Sequence, residues 1–344
     1  MARVSATRVS PDRLPLITKV ARLYHERGVR QPEIARRLSI SQSRVSRLLK
    51  EAVELGIVRT VVVQPPTVHS DLEDEVRDLY GLADVVIADS ASDDEASILA
   101  SISGATAAYF ETTLTGHDRV GISSWSSTLL AAVDKMVPKN VSTASVIVQV
   151  LGGLGAPTIQ VKATHLVERL SAVTGAVPVF FSAPGVVASE VVRDAILADT
   201  SSREAVDEWS RLTVLVAGIG SIAPSPMLKD SGNAVPSGEL AKLSEAGAVG
   251  DICLQFFDAT GRLVETDFGT RTVGISADEM RRIPRRVGVA GGERKWEAIR
   301  ASLAGRWIDV LITDVATARW LVANPIAETA GDGGPARKPD PITA

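Results

Sequence analysis

Residues 31–50 read QPEIARRLSISQSRVSRLLK, two amphipathic stretches broken at Ser39-Ile40-Ser41. In the first, Pro32 suits an opening helical turn and Ile34, Ala35 and Leu38 share one face. Ala35 is small where a second helix has to cross closely, and Ile40 plugs the angle between the two. In the second, Ser41 is a capping residue and Val45, Leu48 and Leu49 form the apolar stripe. Gln42, Ser43, Arg44, Ser46, Arg47 and Lys50 are left outside. A helix that presents donors and acceptors at its N-terminal end can read base edges in a major groove. Gln42, Ser43 and Arg44 are therefore the candidates for base contacts. Gln31, Arg36, Arg37, Ser41, Ser46, Arg47 and Lys50 complete the candidate DNA surface. The cations Arg36, Arg37, Arg47 and Lys50 suit phosphates, which position without specifying.

A second group of polar residues recurs after apolar runs. Ile122 to Thr128 reads ISSWSST ahead of a helical stretch, so Ser123, Ser124, Ser126, Ser127 and Thr128 join backbone N–H groups at a helix start. That combination binds anions or polyols. Leu151 to Gly155 (LGGLG) and Gly218 to Ser221 (GIGS) let a ligand approach the backbone. Ala248 to Ile252 (AVGDI) sets a carboxylate beside a glycine, and Val289 to Lys295 (VAGGERK) sets cations ahead of a helix. Any one such loop is an ordinary turn; five after successive apolar runs imply a pocket.

These groups have to be held by the elements between them. Leu16 to Gly28 reads as an amphipathic helix preceding the pair above, and Ile57 to Val63 as a β-branched strand that would add a wing. Gln64-Pro65-Pro66-Thr67 is a stiff break. Beyond it, a helix striped by Leu72, Val76 and Leu79 opens an alternation of strands and helices. Strands are expected at 83–88, 119–122, 145–151, 177–181, 212–217, 251–257 and 310–313, with helices at 96–114, 126–136, 158–174 and 296–303. Such alternation predicts an α/β fold with a mainly parallel, doubly wound sheet, whose ligands bind at the carboxyl ends of the strands. The predicted layout is a DNA-binding domain at 1–63, a linker at 64–69, an effector and oligomerisation domain at 70–327 and a Gly/Pro-rich disordered tail at 328–344. Trp209, Trp296, Trp307 and Trp320 read as helix core anchors and Cys253 as a small buried strand residue. Arg281, Arg282, Arg285 and Arg286 read as a solvated face or an ion-pair network.

Composition narrows the function classes. Residues 1–63 hold 13 Lys or Arg against 5 Asp or Glu, whereas the remainder holds 24 against 36. A basic head on an acidic body fits a nucleic-acid reader joined to a sensor. One cysteine excludes an internal disulfide framework, and the singly scattered His25, His69, His117 and His165 argue against a metal site. No cofactor is expected. The N-terminal MARVSATRVSPDRLPL lacks the apolar segment of a secretory signal, and no apolar run is long enough to span a bilayer, so a cytoplasmic protein without membrane partners is expected.

The segments QPEIARRLSISQSRVSRLLKEAVELGIVR, VGISSWSSTL, QVLGGLGAPT, APGVVAS, GIGSIAPSPML, AVGDICLQFFD and RRVGVAGGERKWEAIRASL resemble, in this order, the SorC family of sugar-responsive transcription regulators. The resemblance runs from Leu16 to Val322. It implies a winged helix-turn-helix followed by an effector domain similar to the sugar-phosphate isomerase and CoA-transferase fold. The implied partners are operator DNA, a sugar phosphate or sugar alcohol, and further copies of the chain in a dimer or tetramer. The implied ligand groups are Ser124, Ser126, Ser127 and Thr128, then Gly152 and Gly153, then Gly218, Gly220 and Ser221. Asp251 would meet sugar hydroxyls, and Arg271 and Lys295 would supply charge. Ser124-Trp125-Ser126 stands where members commonly carry Gly-Trp-Gly, and Leu154 where some carry Arg. The missing Arg favours a monophosphate or an unphosphorylated polyol over a doubly phosphorylated ligand. An isomerase-like enzyme with a DNA-binding head is the alternative, with Asp251, Glu265, Asp267 and Lys295 as its candidate acid–base groups. A ligand-free oligomerisation scaffold is a third.

Overall fold

Apolar residues three and four apart bring three short helices together in the N-terminal unit. These are α1 (Leu14–Ala21), α2 (Gln31–Leu38) and α3 (Gln42–Glu54), with one π-helical turn, Arg22–Glu26, extending α1. Ile17, Val20 and Ala21 pack on Ile34, Ala35, Val45, Leu48, Leu49 and Ala52 to make a small separate core. Helix α2 stops because Ser39 adopts the left-handed conformation, φ +54°, and the chain restarts at Ser41, whose Oγ accepts the Arg44 N–H at 3.3 Å. The computed structural model describes residues 13–58, 68–123, 126–138, 141–153, 157–223 and 235–326. It divides into two units, 1–65 and 66–344. The expected wing strand falls mostly at 59–63, and the tail at 328–344, outside the described residues.

The second unit is built on seven strands. They are β1 (Asp84–Ala88), β2 (Arg119–Ile122), β3 (Val146–Gln149), β4 (Val177–Val179), β5 (Val214–Gly218), β9 (Arg285–Val289) and β10 (Val310–Asp314). They lie in the order β1-β10-β9-β5-β2-β3-β4, every neighbouring pair parallel. Alternation along each strand feeds two cores, as a sheet covered on both faces requires. Val120, Ile122, Val214, Val216, Val287, Val289, Val310 and Ile312 pack beneath α5 (Glu95–Thr113), α6 (Ser127–Lys135) and α7 (Pro157–Thr174). Leu215, Ala217, Val148 and Leu311 face the other way, into a core shared with α4 (Ser70–Tyr80) and α9 (Thr200–Trp209), the latter preceded by α8 (Glu190–Ala198).

A small antiparallel sheet sits at the strand ends: β6 (Gly220–Ser221), β7 (Ala248–Ile252) and β8 (Gln255–Asp258). Helix α10 (Ser237–Glu245) precedes β7, and α11 (Asp267–Thr270) and α12 (Ala277–Arg282) lead into β9. Helices α13 (Trp296–Ala304) and α14 (Val315–Ala323) flank β10.

The doubly wound α/β fold is the one expected, but particular elements differ. The strand expected at 251–257 is a hairpin, because Cys253 and Leu254 both take positive φ, +53° and +61°, and turn the chain between β7 and β8. Helices α8, α9 and α10 and strand β9 were not expected. Arg285 and Arg286 belong to that strand and to an ion-pair network, bonded to Asp118 and Asp309. Trp209 and Trp307 are buried, Trp307 beyond the end of α13, whereas Trp296 and Trp320 stack half-exposed at 5.2 Å. Of Leu72, Val76 and Leu79, only Val76 is fully buried.

A non-glycine residue held in the left-handed region is strained, and glycine relieves part of that strain at some entropic cost. Ser39→Gly is therefore expected to stabilise the N-terminal unit by roughly 0.5–1 kcal/mol. Native-state hydrogen exchange of α2 and α3 amides in the full chain checks this, and slower exchange is the expected result.

Candidate functional site

The head offers a polar helix face. Gln42, Ser43, Arg44, Ser46, Arg47 and Lys50 are exposed, as are Arg36 and Arg37 on α2, while Gln31 is half-buried. The cap bond of Ser41 fixes the first turn of α3, where those side chains begin. Several cations are already engaged on their own helices: Arg37 with Glu33, Lys50 with Glu54 at 3.9 Å, and Arg47 with the Ser43 carbonyl at 3.4 Å. Exposed pairs of this kind are weak and yield readily to a stronger anion. Among the described residues Arg36 and Arg44 make no ion pair, so their charge is available at once.

In the body the site follows from strand order. Chain progression runs outward from β2 through β3 to β4 on one side, and from β5 through β9 to β10 on the other. The neighbouring strands β2 and β5 therefore diverge in their following connections, and a crevice opens beyond their carboxyl ends. A cavity of about 380 Å³ lies there. Its wall carries Ser123 after β2, Ser126, Ser127 and Thr128 at the start of α6, and Gly218, Gly220 and Ser221 from β5 and β6. Asp251 of β7 and Lys295 after β9 complete the predicted groups present in it. Ser124 lies outside the described residues.

Local bonds fix each group. Ser126 Oγ accepts the Leu129 N–H at 3.2 Å and so caps α6, which leaves the first-turn amides of the helix directed at the cavity. Asp251 Oδ2 accepts the Leu254 N–H at 3.0 Å, tying the carboxylate to the left-handed turn. Its other oxygen rests on Gly220, where a Cβ would stand 1.9 Å away, so a larger residue there would push the carboxylate from this position. Burial pushes the Asp251 carboxyl up to about 6, against the Leu254 N–H and the charge of Lys295, which both lower it. Burial likewise holds the Lys295 ammonium below its ordinary range, with Asp251 opposing. Among the described residues no ion pair within 4 Å joins the two. Burial pushes the Cys253 thiol up to about 12, so that wall residue is an inert thiol bonded to Ser123 rather than a nucleophile. The loop carrying Lys295 is anchored from behind, where Gly292 N–H donates to the buried Asp314 carboxylate at 2.8 Å.

Three predicted groups stand elsewhere. Gly152 and Gly153 pack on the chain at 183–185, where Gly153 N–H donates to the Ala183 carbonyl at 2.6 Å, and neither lines the cavity. Arg271 follows α11, where it pairs with Asp267 at 2.8 Å and Glu239 at 3.3 Å. The cavity instead gains residues that the sequence does not point to, Asp93 ahead of α5 and Glu95, Ile98 and Ile102 in its first turns, together with Arg294, the other cation of the VAGGERK loop. Of the four acid–base candidates, Asp251 and Lys295 meet in the cavity, while Glu265 lies at a separate groove and Asp267 is exposed. Among the described residues no cluster of His, Cys, Asp or Glu could hold a metal ion, and no helix is long and apolar enough to cross a membrane.

Residues 64–323 match the family described as "Putative sugar-binding domain", and residues 21–65 match the MarR family. The chain is 30% identical over 311 residues to the deoxyribonucleoside regulator of Bacillus subtilis, covering 90% of this chain and 98% of that one. It is 29% identical over 318 residues to the sorbitol operon regulator of Klebsiella pneumoniae, again over 90% and 98%. It is 30% identical over 313 residues to an erythritol catabolism regulatory protein of Brucella abortus, over 90% and 97%. The crystal structure of the full-length Klebsiella sorbitol operon regulator superposes with a TM-score of 0.66 at 28% identity, covering 90% of this chain and 99% of that one.

The raised Asp251 pKa has a definite sign in stability. The unfolded carboxyl ionises near 3.8 and the folded one at about 6, so stability is full below the first value and is lost as pH rises through the second. Asp251→Asn keeps an oxygen for the Leu254 N–H but removes the charge. It is expected to stabilise the ligand-free protein by about 1–3 kcal/mol near neutral pH and by much less below about pH 4. Urea titrations at the two pH values check this; an equal gain at both would assign the effect to something other than ionisation.

Proposed function

The chain belongs to the SorC family of sugar-binding-domain transcription regulators, and from that premise we propose that it controls a carbohydrate or sugar-alcohol catabolic operon in response to a small polyhydroxylated ligand. The observation that carries this reading is the cavity beyond β2 and β5, where serine and threonine hydroxyls, helix N–H groups, the Asp251 carboxylate and the Lys295 ammonium converge, with Asp93, Glu95, Glu293 and Arg294 also on its wall. Such a set suits a ligand with several hydroxyls and one anionic end: the α6 start and Lys295 for the anion, Asp251 and the hydroxyls for the polyol. The sorbitol and erythritol regulators bear sugar alcohols in their names, which supports the same ligand class here.

The reading does not call on turnover: apart from Asp251 and Lys295, the strand-end groups are hydroxyls and glycines that hold a ligand well but transfer protons poorly, and burial keeps the Cys253 thiol protonated. On DNA, Gln42, Ser43 and Arg44 read base edges while Arg36, Arg37, Arg47 and Lys50 hold phosphates. The chain acts as a dimer or tetramer in the cytoplasm, so that paired α3 helices meet half-sites about one helical turn, or a multiple of it, apart.

Fluorescence anisotropy with an operator selected from a random duplex pool tests both halves. Glucitol, erythritol and their phosphates are expected to change operator affinity; an affinity indifferent to all of them would end the ligand-responsive reading. Arg44→Ala is expected to weaken operator binding by about 10-fold or more while affecting random duplex less. Arg36→Ala is expected to weaken both similarly and to flatten the salt dependence. Equal losses for Arg44→Ala on the two duplexes would make Arg44 a phosphate contact.

A further inference from the structure

Arg294 and Glu95 line the same cavity and form an ion pair with each other. They come from two adjoining elements: Glu95 opens α5, and Arg294 sits in the loop between β9 and α13, whose Gly291 and Gly292 lie against Ile102 and Ile98 of α5. Their side chains are 41% and 53% exposed, so the pair lies at the solvent edge, whereas Lys295 lies deeper beside Asp251. Both halves are anchored. Asp94 caps α5 through the Ala96 and Ser97 amides at 3.1 and 3.0 Å, and Asp314 holds the other loop through Gly292. The pair thus links two fixed points at the solvent edge of the cavity.

We propose that the Glu95–Arg294 pair is a latch that an anionic ligand opens by replacing the Glu95 carboxylate on the Arg294 guanidinium, and that Glu95 thereby sets the selectivity of the cavity between anionic and neutral ligands. A guanidinium accepts a carboxylate or a phosphate in the same forked geometry, so the two compete for one site. A neutral polyol has nothing to offer Arg294 and leaves the latch closed. A phosphorylated ligand gains Arg294 but must displace Glu95 and tolerate its charge. This inference rests on the ligand reading above and assigns the residue that tunes it.

Glu95→Gln frees Arg294 and removes the competing charge. Exposed pairs contribute little, so the expected change is modest: the affinity ratio of glucitol 6-phosphate to glucitol rises about two- to fivefold. Arg294→Gln leaves Glu95 unopposed, and the same ratio falls. Calorimetric titration of the full-length variants measures both, and inorganic phosphate read by thermal shift supplies an anion probe independent of the sugar. A larger phosphate-induced shift in Glu95→Gln than in the unaltered chain, with each ligand-free melting point as its own baseline, supports the latch. Equal phosphate shifts, or none in either protein, overturn it. A response to neutral polyols alone sinks the latch and leaves the ligand cavity standing, whereas silence toward both classes sinks the cavity reading itself.

Discussion

One half-buried carboxylate organises the cavity of the second unit. Asp251 is wedged against a residue with no side chain, Gly220, and holds the amide of Leu254. That amide belongs to a two-residue hairpin turn in which neither residue is glycine, though both take positive φ. Tight hairpins of this hand ordinarily use Asn and Gly, so Cys253 and Leu254 are held in place at a cost of order 1–2 kcal/mol each. The bond to Asp251 helps to offset that cost, and the glycine that β6 brings alongside leaves room for the carboxylate in that position. Carboxylate, glycine and turn form one unit, and Asp251, Cys253 and Leu254 all face the cavity.

The sheet explains why the polar loops could be read from sequence at all. In a parallel sheet every carboxyl end emerges on one edge, so loops that follow apolar runs share that edge before any strand order is known. Ser123, Ser126, Ser127, Thr128, Gly218 to Ser221 and Lys295 meet for this reason. Strand order then decides which loops adjoin. Gly152 and Gly153 follow β3, one place farther from the crevice, and pack on the segment after β4. Glu95 and Arg294 pair across 199 positions of sequence, a neighbourhood created by the chain returning through β9 and β10 and invisible to any local pattern. The hairpin failed as a reading for a related reason. DICLQFFD has the β-branched and aromatic composition of one strand, and no glycine or asparagine marks the reversal. Strand β9, with two arginines in five residues, hides its character until Asp118 and Asp309 are seen to neutralise them.

The head was more legible because its contacts are local. Its core joins residues within about three dozen positions of one another, and the apolar spacing, the cap at Ser41 and the small Ala35 all act over one or two turns. Ser39 shows the limit of that legibility: its type permits the left-handed turn, but only φ shows that it pays the cost usually avoided by glycine.

Sensing asks more of the cavity than affinity. A ligand shifts a population of conformations only by the difference in its binding free energy between them, so a site equally formed in both states would be silent however tightly it bound. The ligand-free cavity holds three features that ligand contacts could relieve: a carboxyl raised to about 6, an ammonium depressed by burial, and a strained turn. One of the elements that carry them, the loop after β9, meets α5 through the Arg294–Glu95 pair and the packing of Gly291 and Gly292 on Ile102 and Ile98 rather than through sheet hydrogen bonds. A ligand that satisfied Asp251 and Lys295 together would therefore favour one spacing of those elements over others. That dependence on spacing, more than the number of contacts, is what would allow a bound metabolite to bias the conformation of the chain that carries the DNA-reading helix.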